Sequence, residues 1–454
     1  MKTIAAISTA AAPGGIGVIR ISGDEARAVG DRVFKSVSGA KLCDMAGYTC
    51  RFGHVYAPDG ERLDECVATV FAAPHSFTGE DVVELSCHGG LFVLKAALQA
   101  VFAAGAVSAA PGEFTRRAFL NGKMDLAQAE AVMQIISAQG REAMKAAQAG
   151  HDGALSRRIE KLRSDLTDIG AHLAAWADYP DDDIPQVDET MLKTRLAAGK
   201  TALKDLLAGF DGGRILREGV VTVIAGRPNA GKSTLMNLLA GCERSIVTDL
   251  AGTTRDVVEE TVLLGEIPLR LADTAGIRDT EDRVEQIGVR MALDRVKTAQ
   301  FVLAVFDASE ELNDDDRALM DAIGDTPAVA VINKSDLAPK IDRAEIDKHF
   351  KEIVTVSALS GEGLPALQNA AARALKTAEL NPNDGILYTE RQRADAKDAL
   401  ACIEEAQDAL LRGMTWDAVT VSLEGAVAAL NELTGERVSD AVVDRVFEKF
   451  CVGK

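Results

Sequence analysis

The sequence predicts a multidomain protein that combines an α+β domain, a helical bundle and an inserted α/β domain with a mainly parallel sheet. Three observations support this prediction. The chain has 454 residues, more than one ordinary domain, and 47% of them are hydrophobic. Short strand-like segments precede residue 122, and long helical patterns flank residues 218–378. Within residues 218–378, apolar strands alternate with helical segments, which is typical of a parallel sheet.

The first region, residues 1–122, is predicted to be a compact α+β domain, because Gly- and Pro-marked turns separate short apolar segments. The apolar start of the chain is interrupted by Ser8 and Thr9 and is short for a secretion signal, so it is interpreted as the first strand. One apolar helix is predicted over residues 91–103. The predicted strands are Thr3–Ala6, Gly17–Ser22, Cys66–Phe71 and Asp81–Ser86.

Helical sequence forms two blocks, residues 123–217 and residues 379–454. Apolar residues between Leu155 and Trp176 recur at alternating four- and three-residue steps, which predicts a long helix with one apolar seam. We expect the seam to pack inside a bundle, and a coiled-coil partner is the alternative. Because the two ends of an α/β domain can lie close together, the bundle is predicted to be interrupted by an inserted domain, residues 218–378.

A phosphate-binding loop follows the apolar strand predicted over residues 220–225. Residues 226–233 read Gly-Arg-Pro-Asn-Ala-Gly-Lys-Ser, in which glycine lets backbone N–H groups converge on phosphate oxygens at a helix N-terminus. Lys232 supplies a positive charge to the outer phosphates, and Ser233 offers a hydroxyl to magnesium. This stretch predicts binding of a nucleoside triphosphate.

Two more motifs identify the base. Asn333-Lys334-Ser335-Asp336 follows the predicted strand 328–332. The Asp336 carboxylate can accept from both guanine donors, N1–H and N2–H₂, whereas adenine has only an acceptor at N1. Ser357-Ala358, after the predicted strand 353–356, would complete the base pocket through a backbone N–H.

Asp273-Thr274-Ala275-Gly276, after the predicted strand 267–272, supplies a carboxylate for magnesium and a glycine N–H for the terminal phosphate. Four motifs in register predict a GTPase. The next position, Ile277, cannot orient the attacking water as a glutamine does in signalling GTPases. A carboxylate within residues 277–285 is the expected substitute, and a solvated charged loop is the alternative. The side-chain carbonyl oxygen of Asn229 could coordinate a monovalent cation that replaces the charge of an arginine finger.

Composition limits the cellular setting. None of the seven cysteines forms a C-x-x-C pair, which favours a reduced cytoplasmic protein without disulfides. No apolar run approaches the ~20 residues of a membrane span, so no membrane partner is expected. The net charge of −19 argues against nonspecific coating of nucleic acid, but a local basic groove stays open.

Three other stretches resemble the MnmE (TrmE) family of tRNA-modification GTPases. They are residues 111–130 (PGEFTRRAFLNGKMDLAQAE), 252–256 (GTTRD) and 450–454 (FCVGK). The resemblance spans essentially the whole chain, and one departure from the family pattern is at residues 10–13. It implies a homodimer that works with the FAD-dependent protein MnmG, in a heterotetramer or larger complex, on certain tRNAs. The product is a carboxymethylaminomethyl or aminomethyl group on C5 of the wobble uridine.

The resemblance also implies roles for individual residues. GTP hydrolysis would drive dimerisation of the G domains, with Glu285 orienting the water, Arg278 supporting the second switch segment, and Lys232 and Asp273 serving catalysis. Magnesium would be held by Ser233 and Thr254, and potassium by Asn229, Thr248, Leu250 and Thr253. A reduced folate, 5-formyl- or 5,10-methylene-tetrahydrofolate, would supply the one-carbon unit in the N-terminal dimerisation domain, at Arg20, Glu84, Lys123 and Lys454. The implied GTP contacts are Asn229, Ala230, Gly231, Lys232, Ser233, Thr234, Thr248, Asp249, Leu250, Ala251, Gly252, Thr253, Thr254, Asp273, Thr274, Ala275, Gly276, Asn333, Lys334, Asp336, Ser357 and Ala358.

Two alternatives stay open at this point. Cys451 is either a packed, inert cysteine or, as its place in the family tail implies, a thiol that assists catalysis near the folate. Prenylation is excluded because Gly453 and Lys454 do not suit the motif. The chain as a whole could instead be a regulatory GTPase in ribosome or ribonucleoprotein assembly, with no direct part in modification chemistry.

Overall fold

The computed structural model describes residues 1–178, 188–242, 260–271, 295–378 and 380–454. These residues form two compact units, one of residues 1–133 with 428–454 and one of residues 134–427. The domain boundaries expected near residues 122, 217 and 378 stay a prediction. Among the described helices, none is long and apolar enough to cross a membrane.

A seven-stranded sheet organises the first unit, in the order β3-β4-β5-β6-β2-β1-β7. Neighbouring strands are antiparallel except the parallel pair β1 and β7. All four predicted strands are confirmed to within a few residues, and three others were not predicted. The strands are β1 Ile4–Ile7, β2 Ile16–Ser22, β3 Phe34–Ser36, β4 Thr49–Tyr56, β5 Arg62–Phe71, β6 Val82–His88 and β7 Val107–Ser108.

The two faces of this sheet are covered differently. Alternation along β2 buries Ile19 and Ile21 in one core with the apolar residues of helices α1 (Ala26–Val33) and α2 (Leu91–Ala103), and α2 has the predicted bounds. Arg20 projects to the opposite face, since successive side chains of a strand point to opposite sides. The partly buried Arg20 guanidinium needs polar partners, which are described below.

The remaining helices of the first unit pack around buried phenylalanines. Leu126, Phe447 and Phe450 belong to one apolar cluster, with the Phe447 and Phe450 rings 5.0 Å apart. Gly435 has φ +90°, and an added Cβ would lie 2.5 Å from Leu126 Cβ, so the turn at this point requires glycine. The helices are α3 Glu113–Leu120, the start of α4 Leu126–Ser137, the end of α14 Trp416–Thr434, and α15 Asp440–Phe447.

The second unit contains the predicted helical bundle. The seam of α6 is buried along its length, from Leu155 at 1% exposure to Leu173 at 1%. A Cβ added to Gly199 of α7 would lie 3.2 Å from Leu162 and 3.4 Å from Ile403, so α7 packs between α6 and α13. The prediction that the seam packs inside a bundle is confirmed. The helices are α5 Arg141–His151, α6 Ala154–Asp178, α7 Glu189–Ala208, α8 Phe210–Glu218, α13 Glu390–Leu411 and most of α14.

A six-stranded sheet in the second unit has the order β13-β12-β11-β8-β10-β9 and is parallel except for the hairpin β9–β10. The predicted mainly parallel sheet is therefore confirmed. Every residue of the central strand β11 is buried, as expected for a strand covered on both faces. The strands are β8 Val220–Ala225, β9 Glu260–Leu264, β10 Ile267–Leu271, β11 Phe301–Asp307, β12 Ala328–Asn333 and β13 Ile353–Thr355.

Helices cover this sheet on both sides. Leu303 and Val305 of β11 belong to the core that includes Leu235 and Leu367, whereas Ala304 and Phe306 belong to the core that includes Leu319. Because β8, β11 and β12 are parallel, their carboxyl ends lie at the same edge of the sheet. The helices are α9 Lys232–Cys242, α10 Asp314–Ile323, α11 Arg343–Ile346 and α12 Leu364–Ala374.

The β9–β10 turn caps the bundle helix α5. Its Glu266 Oε2 accepts a hydrogen bond from the backbone N–H of Glu142, 3.1 Å away, in the first turn of that helix. The N-cap residue of α5, Gly140, has no side chain to do this. We expect Glu266→Ala to cost about 1 kcal/mol of local stability, which is roughly fivefold faster hydrogen exchange in the first turn of α5. Glu266→Gln keeps an acceptor oxygen and should exchange at nearly the wild-type rate, and equal rates for Ala and wild type would contradict the cap.

Candidate functional site

The phosphate-binding loop lies at the carboxyl edge of the parallel sheet, between strand β8 and helix α9. Gly231 has φ +92°, and a Cβ there would lie 2.1 Å from Asn333 Nδ2. A Cβ on Gly226 would lie 2.3 Å from the Val305 carbonyl oxygen. Both positions require glycine because the loop passes so close to the neighbouring strands.

Lys232, the first residue of α9, is held against this loop. Its Nζ donates to the carbonyl oxygen of Arg227, 2.8 Å away, and burial lowers the pKa of its ammonium. An anionic phosphate at the loop would give this partly desolvated charge an anionic partner. Ser233 and Thr234 are exposed at the start of the same helix, so the Ser233 hydroxyl is accessible to a metal ion.

Asn333 joins the phosphate-binding loop to the expected base pocket. This residue is 2% exposed, its Nδ2 donates to the carbonyl oxygen of Ala230 at 2.9 Å, and its Oδ1 accepts from the backbone N–H of Ala358 at 2.9 Å. Asp336 is exposed at the same edge, and its Oδ1 accepts from the Ser357 hydroxyl at 2.7 Å. The structure therefore brings together the loop, the Asn-Lys-Ser-Asp motif and the Ser-Ala pair, with the exposed Asp336 carboxylate at the same edge.

Magnesium and the two switch segments need residues that the structure describes only in part. Ser233 is exposed at the start of α9, and its role as a magnesium ligand stays a prediction, whereas the predicted second ligand, Thr254, lies outside the described residues. In the part of the chain that the structure describes, no group of three or more His, Cys, Asp or Glu side chains could hold a metal ion. A magnesium ion held by one hydroxyl and by nucleotide phosphates fits this donor set. Also outside the described residues are Thr248, Asp249, Leu250, Ala251, Gly252, Thr253, Asp273, Thr274, Ala275, Gly276, Arg278 and Glu285.

Sequence reasoning missed two acidic contacts to the nucleotide site. Asp307 Oδ2 lies 2.6 Å from Lys334 Nζ, and Glu310 Oε2 lies 2.6 Å from the Nη2 atom of Arg227. The signal for Asp307 was present, because it is a carboxylate at the end of an apolar strand, where parallel sheets place their ligands.

A second polar site lies in the first unit, on the face of the seven-stranded sheet that carries Arg20. Arg20 and Glu84 are register partners on β2 and β6, and Arg20 Nε donates to Glu84 Oε1 at 2.8 Å. The Arg20 guanidinium carbon lies 5.8 Å from the ring centroid of Phe77 and 5.6 Å from that of Phe114. These rings hold the guanidinium in place through cation–π contacts.

The C-terminal tail docks onto this site. The Gly453 carbonyl oxygen accepts from Ser8 Oγ at 3.0 Å and from Arg20 Nη1 at 3.4 Å. Gly453 has φ +97°, and a Cβ there would lie 2.4 Å from the Ile7 carbonyl oxygen. The Cys451 carbonyl oxygen accepts from the backbone N–H of Gly112 at 3.3 Å. The tail is therefore fixed by backbone contacts that tolerate no side chain at Gly453.

This docking brings Lys454 near the Arg20–Glu84 pair and Cys451 near Lys454. Burial, and then the nearby Arg20 guanidinium, lower the pKa of the half-buried Lys454 ammonium, while Glu84 and Cys451 act in the opposite direction. Lys123, the fourth residue expected in this site, donates its Nζ to the Pro74 carbonyl oxygen at 3.2 Å instead. Sequence reasoning missed Ser8 and Phe77, which lie in no motif, and Phe114, which lies in the 111–130 stretch but was assigned no role.

Comparisons with known proteins cover both units. A family model described as the MnmE helical domain matches residues 126–451, and one described as the GTP-binding protein TrmE N-terminus matches residues 3–123. Curated relatives are each described as tRNA modification GTPase MnmE. The one from Acetivibrio thermocellus is 41% identical over 456 residues, which cover 100% of this chain and 99% of the relative.

Two other relatives agree with this result. The Heliobacterium modesticaldum protein is 42% identical over 462 residues, covering 100% of this chain and 99% of the relative. The Bacillus subtilis protein is 40% identical over 460 residues, covering 100% of both chains. The resemblance inferred from the motifs is confirmed over the full length, and the chain belongs to the MnmE (TrmE) family of tRNA modification GTPases.

Proposed function

We propose that this chain binds and hydrolyses GTP with magnesium and takes part in tRNA modification. The observation that carries the proposal is the Asn333 side chain, whose two hydrogen bonds join the phosphate-binding loop to the Ser357-Ala358 segment beside Asp336. A pocket built this way recognises phosphates and guanine together. The name shared by the relatives supports the link to tRNA.

The finer proposal follows the family. The chain acts as a homodimer with the FAD-dependent protein MnmG in the cytoplasm, and together they modify C5 of the wobble uridine. In the G domain, Glu285 orients the attacking water and Arg278 supports the second switch segment. Hydrolysis drives the dimerisation of G domains and a change of conformation. In the rival proposal, a regulatory GTPase of ribosome assembly, the N-terminal unit needs no small-molecule site.

The Arg20 site suits a reduced folate in its chemistry. A folate carries carboxylates that pair with cations, and Lys454 and Arg20 offer two cationic groups beside a partly exposed acceptor, Glu84. The bound folate would supply a one-carbon unit. Residues of this chain would bind and orient it, with Arg20 held between Glu84 and the two phenylalanine rings and Lys454 placed by the docked tail. Cys451 is positioned beside Lys454, and its part in the chemistry stays a proposal.

Mass spectrometry of wobble uridines from cells that lack this chain tests the proposed function. Loss of the C5 modification, restored by the wild-type gene, is the expected result. Normal wobble uridines together with an altered ribosomal subunit profile would instead support the assembly GTPase.

Potassium dependence tests the proposed cation site at Asn229. This residue is exposed in the loop with φ +62°, a conformation that asparagine tolerates better than most residues. We expect GTP turnover at least about tenfold faster in potassium than in sodium, since an arginine finger, whose charge the ion would replace, is worth roughly 10³ to 10⁵ in kcat.

Variants at this position separate coordination from loop strain. Asn229→Gly removes the side-chain oxygen without strain at positive φ, so it should lose the potassium stimulation and keep most of the nucleotide affinity. Asn229→Asp keeps an oxygen ligand and should keep part of the stimulation. Equal wild-type turnover in both salts would contradict the cation site.

A further inference from the structure

The loop after strand β11 supports both halves of the nucleotide site. It follows Asp307, the last residue of β11 and the register partner of Asn333 on β12. Three residues later, Glu310 pairs with Arg227 of the phosphate-binding loop, whose Nη1 also lies 3.8 Å from the buried Asp316 carboxylate. This one segment thus reaches the phosphate side of the pocket through Arg227 and the base side through Asp307.

Asp307 is only 3% exposed, and both of its carboxylate oxygens have a polar partner. Oδ1 accepts from the backbone N–H of Ser309 at 2.9 Å and from its hydroxyl at 2.7 Å, and Oδ2 contacts Lys334 Nζ at 2.6 Å. Burial alone would raise the pKa of Asp307, but the hydrogen bonds from Lys334 and Ser309 outweigh it and lower that pKa. The buried charge is therefore matched by a specific cation rather than by solvent.

Lys334 is constrained at both ends by this contact. Its backbone has φ +62°, an unusual conformation for a lysine, and its ammonium is tied to Asp307 at the end of the neighbouring strand. Its side chain is about one third exposed. Because Lys334 lies between Asn333 and Asp336 in the motif, its tethered side chain starts at the edge where the base is expected.

We propose that Asp307 is a positioning residue for the purine base: it anchors the Lys334 ammonium so that the lysine stem forms one wall of the pocket in which Asp336 accepts the base donors. This inference rests on the proposed binding of a guanine nucleotide. It adds to the base pocket an acidic residue that lies outside the Asn-Lys-Ser-Asp motif. The alternative is that Asp307 only stabilises its own turn through Ser309.

A double-mutant cycle on the full-length chain tests the proposal, with GDP and inosine diphosphate (IDP) as probes in equilibrium binding. Asp307→Asn keeps the size and the acceptor for Ser309 but loses the ion pair, and we expect about tenfold to hundredfold weaker binding of GDP. Lys334→Met keeps an unbranched stem without the ammonium and should lose a similar factor. In the Lys334→Met background, Asp307→Asn should cost less than about threefold, because its partner is already gone.

The two probes separate wall formation from base reading. IDP lacks the 2-amino group that Asp336 accepts from, so a change that acts on Asp336 alters the GDP to IDP ratio. Loss of the lysine wall should weaken both nucleotides by the same factor. Glu310→Gln is the matched control from the same loop, and its effect should multiply with that of Lys334→Met, since it acts on Arg227.

The outcomes distinguish a role of Asp307 in the base pocket from a role in the stability of its own turn. An equal cost of Asp307→Asn in both backgrounds would assign it to turn stability alone and overturn the proposal, as would unchanged GDP affinity. If Asp307→Asn does not fold, Lys334→Met by itself decides, because GDP affinity equal to wild type would remove any role for the anchored ammonium. Failure of the wild-type chain to bind GDP would contradict the proposed function instead.

Discussion

Asp336→Asn is expected to transfer the base preference of this chain from guanine to xanthine. The Asp336 carboxylate accepts from Ser357 and lies at the edge where we propose that the base binds, so its acceptors would face the guanine N1–H and N2–H₂ donors. An asparagine amide presents one acceptor and one donor, which match the N1–H and the C2 carbonyl of xanthine. We expect GTP affinity to fall by roughly 10² to 10³ and XTP affinity to rise, because a buried donor of guanine is left unpaired.

Competition between GTP and XTP for the full-length chain measures this exchange. Asp325→Asn is the control, since Asp325 is an exposed carboxylate in the loop before β12 and should leave the preference unchanged. A variant at Asp336 that still prefers GTP would show that other residues accept from the guanine donors.

Ser357→Ala should produce a smaller, few-fold loss of GTP affinity, because it removes only the hydroxyl that orients the carboxylate.

Removing residues 451–454 is expected to abolish binding of reduced folate while GTP hydrolysis in potassium persists. The deletion removes Lys454 and the Gly453 carbonyl oxygen that Ser8 and Arg20 share. It leaves the phosphate-binding loop intact, since that loop lies in the other compact unit. Calorimetry with 5-formyl-tetrahydrofolate measures the effect, and unchanged affinity would contradict the assignment of Lys454.

A single substitution tests the same site without shortening the chain. Gly453→Ala places a Cβ 2.4 Å from the Ile7 carbonyl oxygen and should displace the tail, with about tenfold or greater loss of folate affinity. Gly60 has a similarly positive φ of +90° but open space around it, so Gly60→Ala controls for backbone strain alone.

Wild-type folate affinity should also fall as pH rises through the lowered pKa of Lys454, because the neutral amine no longer attracts a carboxylate.

Features that depend on residues close together in the chain could be predicted from the sequence. The phosphate-binding loop and the Asn333 to Asp336 motif could be located because a parallel strand delivers contiguous residues to one edge of the sheet. The apolar seam of α6 predicted bundle packing, since a helix buries residues at three- and four-residue spacing. Family membership was inferred from three other short stretches, residues 111–130, 252–256 and 450–454, and the full-length relatives confirm it.

Which distant side chains complete each site depends on how the helices and strands pack together. Ser8 and Gly453 are separated by 445 positions, and Glu142 and Glu266 by 124, so no local pattern connects them. The Asp307–Lys334 pair depends on strand order, because β11 and β12 must be neighbours in register. Such contacts arise when whole helices and strands pack together. The motifs supply the charged side chains, and these contacts orient them.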